Sequence, residues 1–255
     1  MSLPRVIPAL LLKGNGLVNG VKFKNHQYIG DPINTVKIFN DKEVDELIIL
    51  DIMASLKGDE PNFQILKELA SEAFIPMGYG GGIQSLDQAK KVFDLGFEKV
   101  VLGTAALMNT DLIASIANVY GSQSVVVSID VRKSWFGTYR LYGYSGTKKM
   151  NKVLKTFIDQ IILAGSGEIL LNNIDNDGTK EGYDLDLIRE ISELASVPIV
   201  SLGGAWEISD LKKGIQAGAS AVSAGSMFVY EGKFNAVMIN YPKYSEIESC
   251  FEVKK

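Results

Sequence analysis

Glycines placed at the ends of short apolar runs carry the strongest chemical signal in this chain. Gly80-Gly81-Gly82 follows the run Ile75–Tyr79, and Gly203-Gly204 closes the run Val197–Leu202. Gly103-Thr104 ends the run Val100–Gly103, and Gly225-Ser226 follows Ala221–Ala224. Glycine lets the backbone come close to an anion, while amides opening the next helix and a Thr or Ser hydroxyl donate to its oxygens. One isolated pair of this kind also serves simply to turn a strand into a helix. Two equivalent pairs suit a long substrate with a phosphate at each end.

Four carboxylates share this setting: Asp51, Asp130, Asp175 and Asp177. Asp130 caps the run Val125–Ile129, where a buried acid can give or take a proton. It can equally hold a neighbouring loop, a task that barrel mouths also require. His26 is the only histidine and sits in the polar stretch Lys24-Asn25-His26-Gln27, so a solvated loop residue is expected. With no second His or Cys beside it, neither a metal site nor a cofactor is expected. Trp135, Phe136, Tyr139, Tyr142 and Tyr144 read as a hairpin inserted over the mouth. A nucleic-acid stacking platform is disfavoured there because interleaving basic residues are judged too few.

These residues need a scaffold that brings them to one face. Eight runs, Val6–Leu12, Leu47–Ile52, Ile75–Tyr79, Val100–Gly103, Val125–Ile129, Ile169–Leu171, Val197–Leu202 and Ala221–Ala224, read as parallel strands buried on both faces. Segments with helical spacing lie between them, at 62–73, 85–95, 111–120, 153–164, 185–194 and 207–217. A shift of 122 residues lays Asp45–Ala106 on Gly167–Phe228 without a gap, placing Glu46 on Glu168, Gly81-Gly82 on Gly203-Gly204, and Gly103 on Gly225. Two copies of four strands point to a closed α/β barrel, a single (β/α)8 TIM barrel of two repeated half-barrels. The expected domain is 1–255, with half-barrels roughly 1–121 and 122–240. Sites of this fold lie at the carboxyl ends of the strands, where the glycines and acids fall.

Composition agrees with an ordinary globular enzyme: 255 residues, 46% hydrophobic and 22% charged. A net charge of -4 argues against a nucleic-acid binder. Cys250 is the only cysteine, so an intrachain disulfide is impossible. The chain opens on Met-Ser-Leu-Pro-Arg with no apolar leader, and no run is long enough to span a membrane, so a cytoplasmic protein is expected.

Across nearly its whole length the chain resembles the cyclase subunit of imidazole glycerol phosphate synthase. The resemblance rests on Arg5-Val6-Ile7-Pro8, Gly30-Asp31-Pro32, Asp45-Glu46-Leu47, Leu50-Asp51-Ile52, Tyr79-Gly80-Gly81-Gly82-Ile83, Gly121-Ser122-Gln123-Ser124, Gly167-Glu168-Ile169-Leu170-Leu171 and Ile174-Asp175-Asn176-Asp177-Gly178-Thr179. It implies a barrel that takes ammonia from a glutaminase subunit docked on its amino-terminal face and uses it on a bisphosphorylated ribulosyl substrate. The implied phosphate-binding positions are Gly81, Gly82, Gly103, Thr104, Asp177, Gly178, Gly203, Gly204, Gly225 and Ser226. Of the family's two catalytic aspartates, the second is present as Asp130 and the first falls at Leu11. A lysine of the first active-site loop falls at Asn19, and an asparagine of the first cradle at Gly103. The family's ammonia gate maps onto Arg5, Glu46, Lys99 and Glu168, all four intact, although a stabilising salt cluster would use the same charges.

Intact conduit and missing acid together lead to a barrel that pairs with a glutaminase and passes ammonia onward. The resemblance suggests variants that amidate a bacterial surface-polysaccharide sugar, with a sugar amidotransferase as partner. The alternatives are a working synthase in histidine biosynthesis and a non-catalytic scaffold. Leucine transfers no proton, and loss of half an acid/base pair costs on the order of 10²-fold or more in rate. With ammonium salt and the ribulosyl substrate, the barrel is expected to turn over far more slowly than family members that carry both aspartates. Steady-state rates for wild type and Leu11→Asp check this, and ordinary turnover by the wild type would refute it.

Overall fold

The computed structural model describes residues 3–251. Eight strands form one closed parallel barrel: β1 Arg5–Lys13, β2 Leu47–Asp51, β3 Met77–Gly80, β4 Lys99–Leu102, β5 Val125–Lys133, β6 Glu168–Asn173, β7 Ile199–Leu202 and β8 Ala221–Ala224. Each pairs with its neighbours in order, and β8 closes on β1 with Arg5 opposite Ala221 and Pro8 opposite Ala224. Continuous apolar runs belong here because a barrel strand is buried on both faces.

The outer layer is α1 Pro32–Asp41, α2 Phe63–Glu72, α3 Leu86–Asp94, α4 Asp111–Tyr120, α5 Leu154–Leu163, α6 Leu185–Leu194, α7 Ile208–Gln216 and α8 Tyr244–Phe251. Local chemistry sets where several begin. The side chains of Asp31, Asn62, Ser85 and Asp184 accept from amides in the first turns of α1, α2, α3 and α6. Pro32 opens α1 where a missing N–H costs nothing. The expected limits 111–120 and 185–194 match the observed helices, whereas 62–73, 85–95, 153–164 and 207–217 each run one residue too far at both ends because they include the capping residues. Neither α1 nor α8 had been read from periodicity.

Two apolar clusters result. The larger lies between strands and helices, with Phe39, Tyr79, Phe157 and Phe228 fully buried. The smaller fills the bore with Ile7, Ala9, Ile48, Val101, Val126, Leu170, Val200, Leu202 and Ala221. A core of this sort is filled by layers of side chains.

Two hairpins rise from the carboxyl-end face. The first continues β1 through the antiparallel strands Gly16–Val21 and Lys24–Gly30. The second continues β5, whose end pairs with Tyr139–Gly143, which pairs in turn with Lys148–Lys149. β5 therefore runs four residues past the apolar stretch Val125–Ile129, because an antiparallel partner extends it beyond the barrel. His26 lies in a strand and is half-buried, which corrects its reading as a solvated loop residue; pairing of Lys24–Gly30 with Gly16–Val21 turns it toward the mouth. Among the described residues no helix is long and apolar enough to cross a membrane.

Gly78 points into the bore, where an added Cβ would meet Ile48, the Cβ of Lys99 and Val101 at 3.6–3.8 Å, an ordinary contact. Gly78→Ala is expected to leave the unfolding temperature nearly unchanged. Gly81→Ala is expected to lower it, since Gly81 has φ 125° and its Cβ would stand 2.6 Å from the carbonyl oxygen of Asp51. Thermal denaturation followed by circular dichroism compares the two.

Candidate functional site

A cavity of about 550 Å³ opens at the carboxyl ends of the strands. Gly81, Gly82, Gly103, Thr104, Asp177, Gly178, Gly203, Gly204, Gly225 and Ser226 all line it, as do Leu11 and Asp130. The strand ends bring them together. β3 and β4 deliver the first glycine pair with Thr104, β7 and β8 deliver the second with Ser226, and β5 delivers Asp130 between them.

Each cradle has a hydroxyl held by a contact from another element. The Thr104 hydroxyl oxygen accepts from the Tyr144 amide at 2.8 Å, and the Ser226 oxygen accepts from Asn19 Nδ2 at 2.9 Å. Both keep their own proton free to donate to an anion. In the second cradle Gly203 is required, because with φ 95° its Cβ would lie 2.4 Å from Asn172 Oδ1.

The carboxylates divide by role. Asp51 Oδ1 accepts from the amides of Met53 and Ala54 at 2.8 and 3.1 Å, so it holds the turn after β2. Asp175 bonds Arg132 Nη1 at 2.8 Å and the Lys133 amide at 3.1 Å, tying the second hairpin to the loop after β6, and it does not line the cavity. Asp130 and Asp177 are the chemically poised pair. Burial, reinforced by the neighbouring charge of Asp177 and opposed by a hydrogen bond from Ser128, pushes the Asp130 carboxyl up to about 7. Burial also pushes Asp177 up to about 7, against a hydrogen bond from the Phe23 backbone. Each can therefore exchange a proton near neutral pH. Burial and the nearby Lys13 lower the pKa of His26.

Leu11 faces the same space from β1, paired in register with Leu50 of β2 and Val18 of the first hairpin. Leu11 thus gives this side of the cavity an apolar wall. Asn172 and Ser128 also line the cavity, and neither was singled out from the sequence. Asn172 is buried with Oδ1 unpartnered. The signal for it was present: Asn172-Asn173 ends the apolar run Ile169–Leu171 at a strand's carboxyl end.

At the opposite end of the bore four charges close a ring. Arg5 bridges Glu46 and Glu168 through its two guanidinium nitrogens. Lys99 Nζ bridges the same two carboxylates at 2.8 and 2.9 Å. Side-chain exposure is 4% for Glu46 and 6% for Glu168, against 18% for Lys99 and 34% for Arg5, so the acids form the buried part of the ring.

The reading of the second hairpin as poor in cations does not hold. Between Val131 and Val153 the chain carries Arg132, Lys133, Arg140, Lys148, Lys149 and Lys152. Four of the six sit over aromatic rings, at 5.3–5.4 Å from the centroids.

Fold and site together define a closed (β/α)8 barrel with two glycine pairs lining a cavity at its carboxyl-end face and a ring of four charges at the opposite end. The chain belongs to the histidine-biosynthesis protein family, in its HisF branch: the family model described as "Histidine biosynthesis protein" matches residues 5–235. It is 49% identical over 245 residues to a Pseudomonas aeruginosa protein provisionally named imidazole glycerol phosphate synthase subunit hisF2, covering 96% of this chain and 98% of that one. A Leptospira borgpetersenii protein, provisionally named imidazole glycerol phosphate synthase subunit HisF, is 46% identical over 250 residues, with 97% and 98% covered. The imidazole glycerol phosphate synthase subunit HisF of Exiguobacterium sibiricum is 36% identical over 228 residues, with 89% and 91% covered.

The raised carboxyls make a signed prediction. A group whose pKa rises from 3.8 unfolded to about 7 folded stabilises the protein fully below the unfolded value, and that stability is lost as pH rises through the folded one. Above pH ~7 the pair becomes a half-buried like-charge burden. Asp130→Asn is therefore expected to raise the unfolding temperature more at pH 8 than at pH 5, as measured by calorimetry at both pH values.

Proposed function

We propose that this chain is the barrel subunit of a glutamine-dependent amidotransferase complex: a glutaminase docks over the charge ring, and ammonia crosses the bore to a sugar amidotransferase at the mouth. The acceptor in this reading is a surface-polysaccharide sugar. The observation that carries it is a complete four-charge ring beneath a cavity in which Leu11 replaces one member of the acid pair.

Physical reasoning supports the route. Buried charges are costly, and apolar residues often replace them without loss, so four of them kept at the foot of an apolar bore call for a use. Above the ring lie Ile7, Ile48, Val126 and Leu170. Neutral ammonia can pass such a lining, whereas ammonium would have to shed its hydration at great cost. The ring bars ions and opens for a small neutral molecule when Lys99 or Arg5 swings aside. Around it, Phe74 before β3 and Leu163 at the end of α5 are 91% and 90% exposed on the same end of the barrel, an apolar rim suited to a partner protein.

In this reading the two cradles hold a phosphorylated small molecule, Gly81, Gly82, Gly103 and Thr104 at one end and Asp177, Gly178, Gly203, Gly204, Gly225 and Ser226 at the other. Asp130 serves any residual proton transfer. One observation favours the alternative of a working synthase: Asp177 shares the cavity with Asp130 and titrates in the same range, so it can stand in for the acid missing at Leu11. That alternative requires substantial turnover of the ribulosyl substrate, abolished by Asp177→Asn.

The deciding experiment mixes barrel, glutaminase and sugar amidotransferase, and compares product made from glutamine with product made from added ammonium. Lys99→Ala is expected to impair the glutamine route and largely spare the ammonium route. It should also destabilise the barrel, by less than the about 3–5 kcal/mol of an uncompensated buried charge, because Arg5 still pairs with both acids. Gly78→Leu tests the bore independently, because its side chain would grow into the space between Ile48 and Val101. Equal effects on both routes, or none on either, would reduce the ring to a stabilising salt cluster and leave a scaffold.

A further inference from the structure

The hairpin built on the end of β5 concentrates positive charge, most of it unpaired among the described residues. Val131 to Val153 holds six cations and no Asp or Glu, in a protein of net charge -4. Among the described residues only Arg132 of the six is ion-paired, to Asp175. At the tip, Trp135 and Phe136 are 97% and 91% exposed, so none of the described residues covers them. On the other side of the loop after β6, Phe234 at the tip of the turn joining Tyr230–Glu231 to Ala236–Val237 is 97% exposed. Lys180 of that loop holds this turn, bonding Asn235 Oδ1 at 2.5 Å and lying over the rings of Trp206 and Tyr230.

Exposed Trp and Phe side chains have the composition of an interface centre, and the cations around them that of its polar rim. A projecting Trp-Phe pair fits a pocket in a partner, and unpaired cations around it call for acids on that partner. Nucleic acid fits less well: Tyr139, Tyr142 and Tyr144 already have cations over their faces, leaving few rings free for stacking. Position adds the remaining argument. Ammonia released at the mouth is lost to solvent unless the enzyme that consumes it covers the mouth.

We infer that the Val131–Val153 hairpin is the docking arm for the ammonia-consuming enzyme, which meets it with an apolar pocket inside an acidic surface. This rests on the delivery reading above. Docking sits at the mouth, and the glutaminase remains at the other end of the barrel.

The test uses the barrel–glutaminase complex and the sugar amidotransferase, with binding kinetics measured at two salt concentrations. Trp135→Ala combined with Phe136→Ala is expected to speed dissociation about tenfold or more, as loss of central aromatics does. Lys148→Glu combined with Lys149→Glu is expected to slow association and flatten its salt dependence. Both variants should keep the wild-type unfolding temperature, bind the glutaminase normally and leave ammonium-dependent product unchanged, while glutamine-dependent product falls. If the wild type is fed by glutamine and both variants bind and feed as it does, the docking inference fails alone. A wild type that neither binds nor feeds the amidotransferase removes the delivery reading, and this inference with it. Variants that lose a single-stranded oligonucleotide or a second copy of the chain, with amidotransferase binding intact, overturn the inference in favour of that occupant.

Discussion

Two buried carboxylates, Glu46 and Glu168, impose the constraint on which the rest of this barrel depends. Each needs a cation, and each shares both Arg5 and Lys99 with the other, so the four side chains must converge at one end of the bore. Closure of β8 on β1 sets that level by placing Arg5 opposite Ala221. From it the inward positions rise through an apolar layer to Asp130 and Leu11 at the mouth. Burial costs are acceptable at the foot of the bore because charges of opposite sign meet there, whereas at the mouth Asp130 and Asp177 lack such partners and hold their protons near neutrality.

Much of this arrangement was legible in the residues. The strand runs were visible because burial on both faces removes polar residues from them, and the repeat located equivalent glycines in two halves of the sequence. The limits of that reading have physical causes. Val125–Ile129 marks only the part of β5 inside the barrel; its continuation to Lys133 depends on Tyr139–Gly143, whose pairing no local periodicity announces. His26 sits among polar neighbours because one face of its hairpin is wet, and that composition conceals the face turned to the cavity. α1 was signalled by its cap, Asp31-Pro32, more than by its spacing.

At the candidate site, residue type marked the groups able to bind or transfer protons, but contacts decided which remain available. Asp51 and Asp175 look equivalent to Asp130 in sequence, each near a strand's carboxyl end. In the fold their oxygens are engaged by backbone amides or by Arg132. Asn172 went unnoticed because an amide side chain carries no charge to suggest chemistry, yet its buried, unpartnered oxygen sets it apart from a surface asparagine.

The ties on the two cradle hydroxyls cross the molecule. Thr104 belongs to the first half of the chain and is held by Tyr144 from the second, while Ser226 belongs to the second and is held by Asn19 from the first. Lys22 with Phe23, and Tyr144 with Ser145, are matching pairs of left-handed residues in the two hairpins that make the exchange. Each glycine pair thus has its hydroxyl from one half and the contact that holds it from the other. A half on its own would lack the contact that holds its hydroxyl, so the order of the mouth depends on both halves being present.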